Sequence, residues 1–146
     1  MTEISVTTLG LRKMALKLRT IAPELYRQMR TSMRETGELV AVEARAHASP
    51  AVSKTIRVYP TATSVSVKAG VGERAPHKGE AKAKENAGKG GTFRHPVYGN
   101  HDVWADQPAN PVLHKALEAK AEEVALKMSE GVDVVNDRLL SGEYGP

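Results

Sequence analysis

Cysteine is absent from the 146 residues, and aromatic side chains are scarce. Without thiols the chain cannot form disulfides, use thiolate chemistry or bind zinc through cysteine. The aromatic residues are one Phe, one Trp and four Tyr. A core made mostly of Ala, Val and Leu buries little area per residue. We therefore expect either a thin fold or one that partner subunits complete.

Long apolar runs are also missing. No stretch approaches the roughly 18 apolar residues that a membrane span requires, and the first ten residues have neither the basic nor the apolar region of a signal peptide. We expect a soluble protein made in the cytosol. The length predicts one domain, residues 1–140, followed by a disordered tail, residues 141–146. The formal net charge of +4 permits contact with nucleic acid without demanding it.

Apolar spacing predicts two N-terminal helices. The first covers residues 8–20, with Leu9, Met14 and Leu16 inward. Pro23 suits the first turn of the second, about 24 residues long, which ends at Ser49-Pro50. The opposite, polar face of the second helix carries Arg27, Arg30, Arg34, Glu38 and Arg45. Its apolar stripe comprises Leu25, Met29, Met33, Gly37, Val40, Ala44 and His47. We interpret His47 as a core or interface residue.

Alternating polar and apolar residues predict three short strands. Residues 2–6 form the first, and residues 55–59 and 64–71 read as an antiparallel pair joined by a turn at PTAT. In the second strand of that pair, Val65, Val67 and Ala69 fall on one face.

Residues 74–91, RAPHKGEAKAKENAGKGG, hold no large apolar side chain. A structureless stretch of this length inside a domain is usually functional or disordered. Three interpretations stay open: a solvated flexible loop, an arm that packs on a neighbouring subunit, or a contact with DNA phosphates. Glu73, Glu80 and Glu85 offset part of the positive charge, which comes from Arg74, Lys78, Lys82, Lys84 and Lys89, with Arg94 just beyond.

The stretch FRHPVYGNHDVW, residues 93–104, predicts a β-hairpin with Gly99-Asn100 as a two-residue turn. In that register His95 faces Trp104, Val97 faces Asp102 and Tyr98 faces His101. His95 and His101 then point to opposite sides and cannot chelate one metal ion. Trp104 anchors the hairpin to the sheet or the last helix, or serves as a subunit-interface anchor. The predicted shared face comprises Phe93, His95, Val97, Asp102 and Trp104.

A final helix is predicted from Pro111 to Leu140, with Asn110 as its cap. Its apolar positions are Leu113, Ala116, Leu117, Val124, Leu126, Met128 and Val135. The whole order predicts an α+β fold: a small antiparallel sheet with a β-hairpin, packed against two N-terminal helices and one long C-terminal helix, with a long basic loop.

Candidate catalytic residues are few. His101 on the hairpin and His114 on the helix are superficially similar to the histidines of ββα-type metal nucleases, but Pro108 and Pro111 separate the two elements and no paired acidic residues lie nearby. The common nucleophile, zinc and phosphate-loop motifs are absent. We therefore favour a hairpin with solvated polar residues, and we predict neither enzymatic activity nor a cofactor or metal.

The segment GKGGTFRHPVYGNHDVWADQPANPVLHKAL, residues 88–117, resembles the C-terminal half of neck and tail-completion proteins of long-tailed bacteriophages. The matching features are GTFRHPVYGN, then DVW, a Gln-Pro pair, and a helix led by Pro with a Leu and an Ala-Leu. The N-terminal half fits the plan of that family: a helix, a longer helix and a strand pair. The resemblance covers about residues 8–135.

This resemblance implies structural work at the junction between capsid portal and tail tube. Such proteins form rings, commonly hexamers, which terminate or complete the tail so that heads can join. The implied partners are copies of the chain itself, adjacent neck, connector and tail-tube proteins, and DNA that passes through the lumen without sequence reading. No membrane is involved, and the protein would reside in the virion after assembly in the host cytoplasm.

Both chemistry and resemblance put the assembly candidates in the basic loop and the hairpin: Arg74, Lys78, Lys82, Lys84, Lys89, Phe93, Arg94, His95, Tyr98 and Trp104. The alternative function is a small basic DNA-binding module that uses residues 74–94.

Overall fold

The computed structural model describes residues 2–7, 11–72, 85, 92–97, 100–108 and 110–142; for residues 92–97 and 100–108 it describes the backbone and the side chain of Asp102. The α+β prediction is confirmed. The elements are β1 (Thr2–Thr7), α1 (Arg12–Ile21), α2 (Pro23–His47), α3 (Pro50–Ser53), β2 (Arg57–Pro60), β3 (Ser64–Ala69), β4 (Thr92–Val97), β5 (Asn100–Pro108) and α4 (Val112–Ser141).

Helix α2 is the central helix of the fold. Pro23 occupies its first turn as predicted, where the missing N–H costs no hydrogen bond. The apolar stripe is buried as predicted from Leu25 to Ala44. His47 is not a core residue: its side chain is 65% exposed and lies 3.0 Å from the Glu43 carboxylate. The alternative, an interface residue, stays a prediction. The buried part of the stripe ends one turn earlier, at Ala44.

A short helix that the sequence pattern did not predict, α3, follows α2. Ser49-Pro50 ends the helix as expected, but Ser49 also begins α3. Its hydroxyl accepts a hydrogen bond from the Val52 N–H at 3.4 Å, and Pro50 occupies the first helical position. A side-chain cap followed by Pro is a helix start as well as a helix stop.

Three strands form one antiparallel sheet in the order β1-β3-β2. The predicted pairing of β2 with β3 is confirmed, with Val58 opposite Val67. Strand β1 was predicted, but its position was not: it pairs with the other side of β3, with Ile4 opposite Val67. Val65, Val67 and Ala69 of β3 are buried on one face as expected.

The core consists of two groups of small and medium apolar side chains. The larger group joins the sheet to the second half of α2 and to α4, and it includes Val40, Ile56 and Leu113. The smaller group joins α1 to the first half of α2 and to the C-terminal part of α4 through Leu18 and Val135. Among the described residues neither group has a fully buried aromatic side chain, in keeping with the few aromatic residues of the sequence.

The prediction for α1 is wrong in two respects: the helix begins at Arg12 instead of residue 8, and Leu16 does not face the core. Leu16 is 57% exposed, whereas Ala15 and Leu18 are buried and Met14 is partly buried. Ala15, Leu18 and Ala22 recur at the helical spacing that faces the smaller core group, and Leu16 lies about 100° around the helix from Ala15. Residue 9, predicted to face inward, lies outside the described residues.

Helix α4 runs for 30 residues and ends at Gly142, whose φ of 73° closes the last turn in the left-handed conformation. Most predicted apolar positions are buried or partly buried, and Val112 joins them. Leu126 is the exception, with 61% of its surface exposed. It lies on the helix face opposite Val124 and Met128, which contact the core.

Candidate assembly site

The hairpin forms a two-stranded sheet of its own, separate from the three-stranded sheet. Its predicted existence is confirmed, but the predicted register is wrong. Val97 pairs with Asn100, and His95 pairs with Ala105 instead of Trp104. Pro96 takes Trp104 as its partner, so residues 101–103 lie between two consecutive pairings. The predicted shared face depended on a regular ladder, and this irregularity removes its basis.

Of the ten assembly candidates, four have a described backbone: Phe93, Arg94 and His95 in β4, and Trp104 in β5. Their backbones lie within one short ladder. Most of the predicted loop 74–91 lies outside the described residues. So do the other six candidates: Arg74, Lys78, Lys82, Lys84, Lys89 and Tyr98.

Glu85 is the described residue of that basic segment, and its side chain is 1% exposed. Its carboxylate accepts hydrogen bonds from the backbone N–H groups of Leu113 at 3.2 Å and His114 at 2.9 Å. The same oxygen that binds the His114 amide also contacts the Nδ1 atom of the His114 ring. These contacts cap the N-terminus of α4, where unpaired N–H groups and the helix dipole favour a negative charge.

The predicted cap residue, Asn110, has another role. Its Nδ2 donates to the backbone carbonyl of His47 at 3.2 Å, and α4 shows no side-chain cap from its own flanking residue, Pro111. Asn110 therefore ties the start of α4 to the end of α2. Helix α4 is capped instead by a carboxylate from 28 residues earlier in the chain.

The sequence pattern did not identify Glu85, which was interpreted as a residue that offsets loop charge. A capping residue at this separation leaves no local trace, because the helix-start patterns operate within a few residues. Glu85 is buried through contacts with Leu113 and His114, which are distant from it in sequence. It fixes one point of the Lys-rich segment to the body of the protein.

Histidine chemistry finds little support in this geometry. His114, one of the two histidines considered for a nuclease, makes its described contact with the capping carboxylate of Glu85. Among the described residues, no group of three or more His, Asp or Glu side chains is arranged to hold a metal ion. His101 has no described side chain, so its predicted role is untested.

One carboxylate at the edge of the sheet has a perturbed pKa. Glu3 in β1 accepts hydrogen bonds from Lys68 at 3.1 Å and from the Ser66 hydroxyl at 3.1 Å, both across the ladder in β3. The contact with Lys68, and to a smaller extent the one with Ser66, holds the pKa of Glu3 below its usual value because both stabilise the charged form. The interaction joins the N-terminal strand to the centre of the sheet.

None of the helices in the described part of the chain is long and apolar enough to span a membrane. Comparisons with protein-family models, with curated proteins and with solved structures gave no match. The function is therefore argued from the residues, the fold and the sequence resemblance.

Proposed function

We propose that this chain is a structural subunit of the head–tail junction of a long-tailed bacteriophage. In this role it forms a ring that terminates or completes the tail and allows the head to join. The proposal takes its identity from the hairpin sequence GTFRHPVYGNHDVW. Three features of the fold support an assembly role: two concern the hairpin and the start of α4, and one concerns the main sheet.

The observation that carries the proposal is the separate two-stranded sheet of β4 and β5. Its strands have six and nine residues and pair with each other, outside the main sheet. An isolated two-stranded hairpin is marginally stable in water. Its edges offer backbone donors and acceptors to another chain, a common way to join subunits. We therefore assign the hairpin to contacts with a neighbouring subunit or the adjacent ring.

The second support is the position of Glu85. Its carboxylate is bound at Leu113 and His114, and β5 ends at Pro108, only a few residues before that helix start. Glu85 and the end of β5 therefore both lie close to the N-terminal end of α4. A partner that engages this end of the protein would meet the base of the hairpin beside the residue that fixes the basic segment.

The third support is the main sheet, in which β1 and β2 occupy the two outer positions. Each has one side that is not paired within the described residues, and Pro60 at the end of β2 limits pairing there. Together with the thin core, this arrangement suits a subunit whose body is completed by neighbours.

The first test is to delete the gene from the phage that encodes it and to image the lysate by electron microscopy. We expect filled heads that lie apart from tails, or tails of uncontrolled length; the length distribution separates terminator from joining roles. Intact particles in normal numbers would contradict the proposal.

A second test asks which segment assembles the ring. Deleting residues 76–83 removes part of the basic segment but spares Glu85, so α4 keeps its cap. A variant in which the same residues are replaced by Gly and Ser at equal length is the control for loop length. We expect both variants to fold with an unchanged denaturation midpoint and to fail to complement the gene deletion. Full complementation by both would exclude this segment from the assembly contacts.

A further inference from the structure

Helix α1 presents a cationic surface to solvent. Its ten residues include Arg12, Lys13, Lys17 and Arg19, all exposed, and no acidic residue. Leu16, the apolar residue that was expected inside, lies among these cations with 57% of its surface exposed. We call this surface, formed by Arg12, Lys13, Leu16, Lys17 and Arg19, the α1 face.

Helix α4 presents a surface of the opposite sign. Its exposed acidic residues recur along the side opposite the core and surround Leu126, which is 61% exposed. We call this surface the α4 face; it comprises Glu118, Glu122, Glu123, Leu126, Glu130, Asp133 and Asp137, with Leu140 at its end.

The cations of α4 do not neutralise this face along its length. Lys127 lies 3.4 Å from Glu35 of α2, and Arg138 donates to Gln28 of α2, so both are directed toward the neighbouring helix. Lys120 pairs with Glu123 at 3.1 Å, and Lys115 lies in the first turn, before the acidic stretch. With six acids and four cations, α4 has a formal charge of −2, against +4 for α1 with four cations and no acid.

The two faces match in kind as well as in sign. Each face is a charged surface around an exposed leucine, Leu16 or Leu126. This is the pattern of an interface with an apolar centre and a polar rim. Like faces would repel one another, since like charges brought together at an interface disfavour association. The α1 face therefore fits the α4 face better than it fits a second copy of itself.

We propose that the α1 face of one copy of this chain docks on the α4 face of another copy. Because the two faces are different surfaces of one molecule, the contact is heterologous, and its repetition produces a ring or a filament. The inference rests on the proposed function for closure into a ring, whereas the contact itself is testable on the purified chain.

The test uses charge reversal with a built-in rescue. One variant, Arg12→Glu/Lys13→Glu/Lys17→Glu, leaves one cation and three acids on the α1 face and so makes it acidic. A second, Glu122→Lys/Glu130→Lys/Asp133→Lys/Asp137→Lys, leaves two acids and four cations on the α4 face and so makes it basic. Association is measured by sedimentation velocity at about 0.02 M and about 0.5 M salt, because a charged interface weakens as the salt screens it. Lys54→Glu, at an exposed position outside both faces, is the control for a change of net charge.

We expect the wild-type chain and Lys54→Glu to associate at low salt, and each reversal variant alone to associate about tenfold or more weakly. A mixture of the two reversal variants restores association, because the acidic α1 face of the first variant meets the basic α4 face of the second, and the unchanged faces of the two variants also have opposite charge. Adding Leu126→Asn to the wild-type chain weakens association at both salt concentrations.

Three results would overturn the inference: a wild-type chain that stays monomeric at low salt, association that the reversals leave unchanged, or reversal variants that stay apart when mixed. A monomer that binds duplex DNA through Lys13 and Lys17 would reassign the α1 face to nucleic acid. A complex that stops at two copies and obeys the rescue keeps the contact but contradicts the ring. The contact and the proposed function can therefore fail separately.

Discussion

Gly37 of α2 lies against Val65 of β3 so closely that no larger residue fits between helix and sheet. A Cβ atom added at Gly37 would come within 3.0 Å of a Val65 methyl group and 2.6 Å from the Cγ1 atom of Val58. Valine side chains are stiff, because branching at Cβ restricts their rotamers. This glycine sets the distance at which α2 crosses the sheet.

The substitution Gly37→Ala is expected to destabilise the protein. Overpacking of this kind costs about 1–3 kcal/mol, and the better helix propensity of Ala returns up to about 1 kcal/mol. The net loss, up to about 2 kcal/mol, is measured as a lower urea midpoint. In the Val65→Ala background the same substitution should cost less, because the Val65 methyl group is gone and only the Val58 methyl group still clashes. Equal costs in both backgrounds would contradict the proposed clash.

Replacing Glu85 by Ala is expected to lower the free energy of unfolding by about 1–3 kcal/mol, since the helix loses its cap and the charge that complements its dipole. Glu118→Ala, which removes an exposed carboxylate from the same helix, serves as the control and should stay within about 0.5 kcal/mol of the wild type. Chemical denaturation of all three chains measures both effects. Equal midpoints for Glu85→Ala and Glu118→Ala would show that the cap adds nothing to stability.

The lowered pKa of Glu3 predicts a small pH dependence of stability. Because the folded state favours the charged carboxylate, its contribution is present above the ordinary pKa of a glutamate and is lost as the pH falls through the lower, folded pKa. The side chain is 45% exposed, so screening keeps the contribution below about 1 kcal/mol. Glu3→Gln should therefore flatten the acid side of the profile of thermal midpoint against pH. Parallel profiles for the two chains would rule out this contribution.

Arg45 joins α2 to the segment that leads into β2. Its guanidinium donates to the Ile56 carbonyl at 3.1 Å and to Glu38 at 3.3 Å. Arg45→Met keeps much of the apolar stem but leaves that carbonyl without this donor, so we expect a loss of about 1–2 kcal/mol. Arg30→Met, at an exposed position of the same helix, is the matched control. Denaturation midpoints that fall equally in both variants would assign the effect to helix charge instead.

Local patterns predicted the elements well and their surroundings poorly. Pro23 and the stripe from Leu25 to Ala44 specify α2, because a helix start and a helical period are written within neighbouring residues. Residues 55–59 and 64–71 specify a strand pair for the same reason. Leu16 and Leu126 were placed inside on apolar character alone, whereas burial depends on which side of each helix meets the core.

The assembly site shows the same division. Gly99-Asn100 predicted that a hairpin exists, but neither its turn nor its register followed. Asn100 belongs to β5 and pairs with Val97, and residues 101–103 lie in an irregularity that no turn motif encodes. The cap of α4 was assigned to Asn110, the nearest residue of the right type. In the structure the cap is Glu85, whose buried carboxylate accepts hydrogen bonds from two backbone N–H groups at once.

The sequence by itself determined the fold class, the bounds of α2 to within a residue or two, the strand pair and the existence of the hairpin, since each depends on residues close together in the chain. Only the tertiary structure decided the partner of β1, the role of Glu85 and the outward position of Leu16 and Leu126. These depend on contacts between segments far apart in sequence, and it is packing that selects among the alternatives that local patterns leave open.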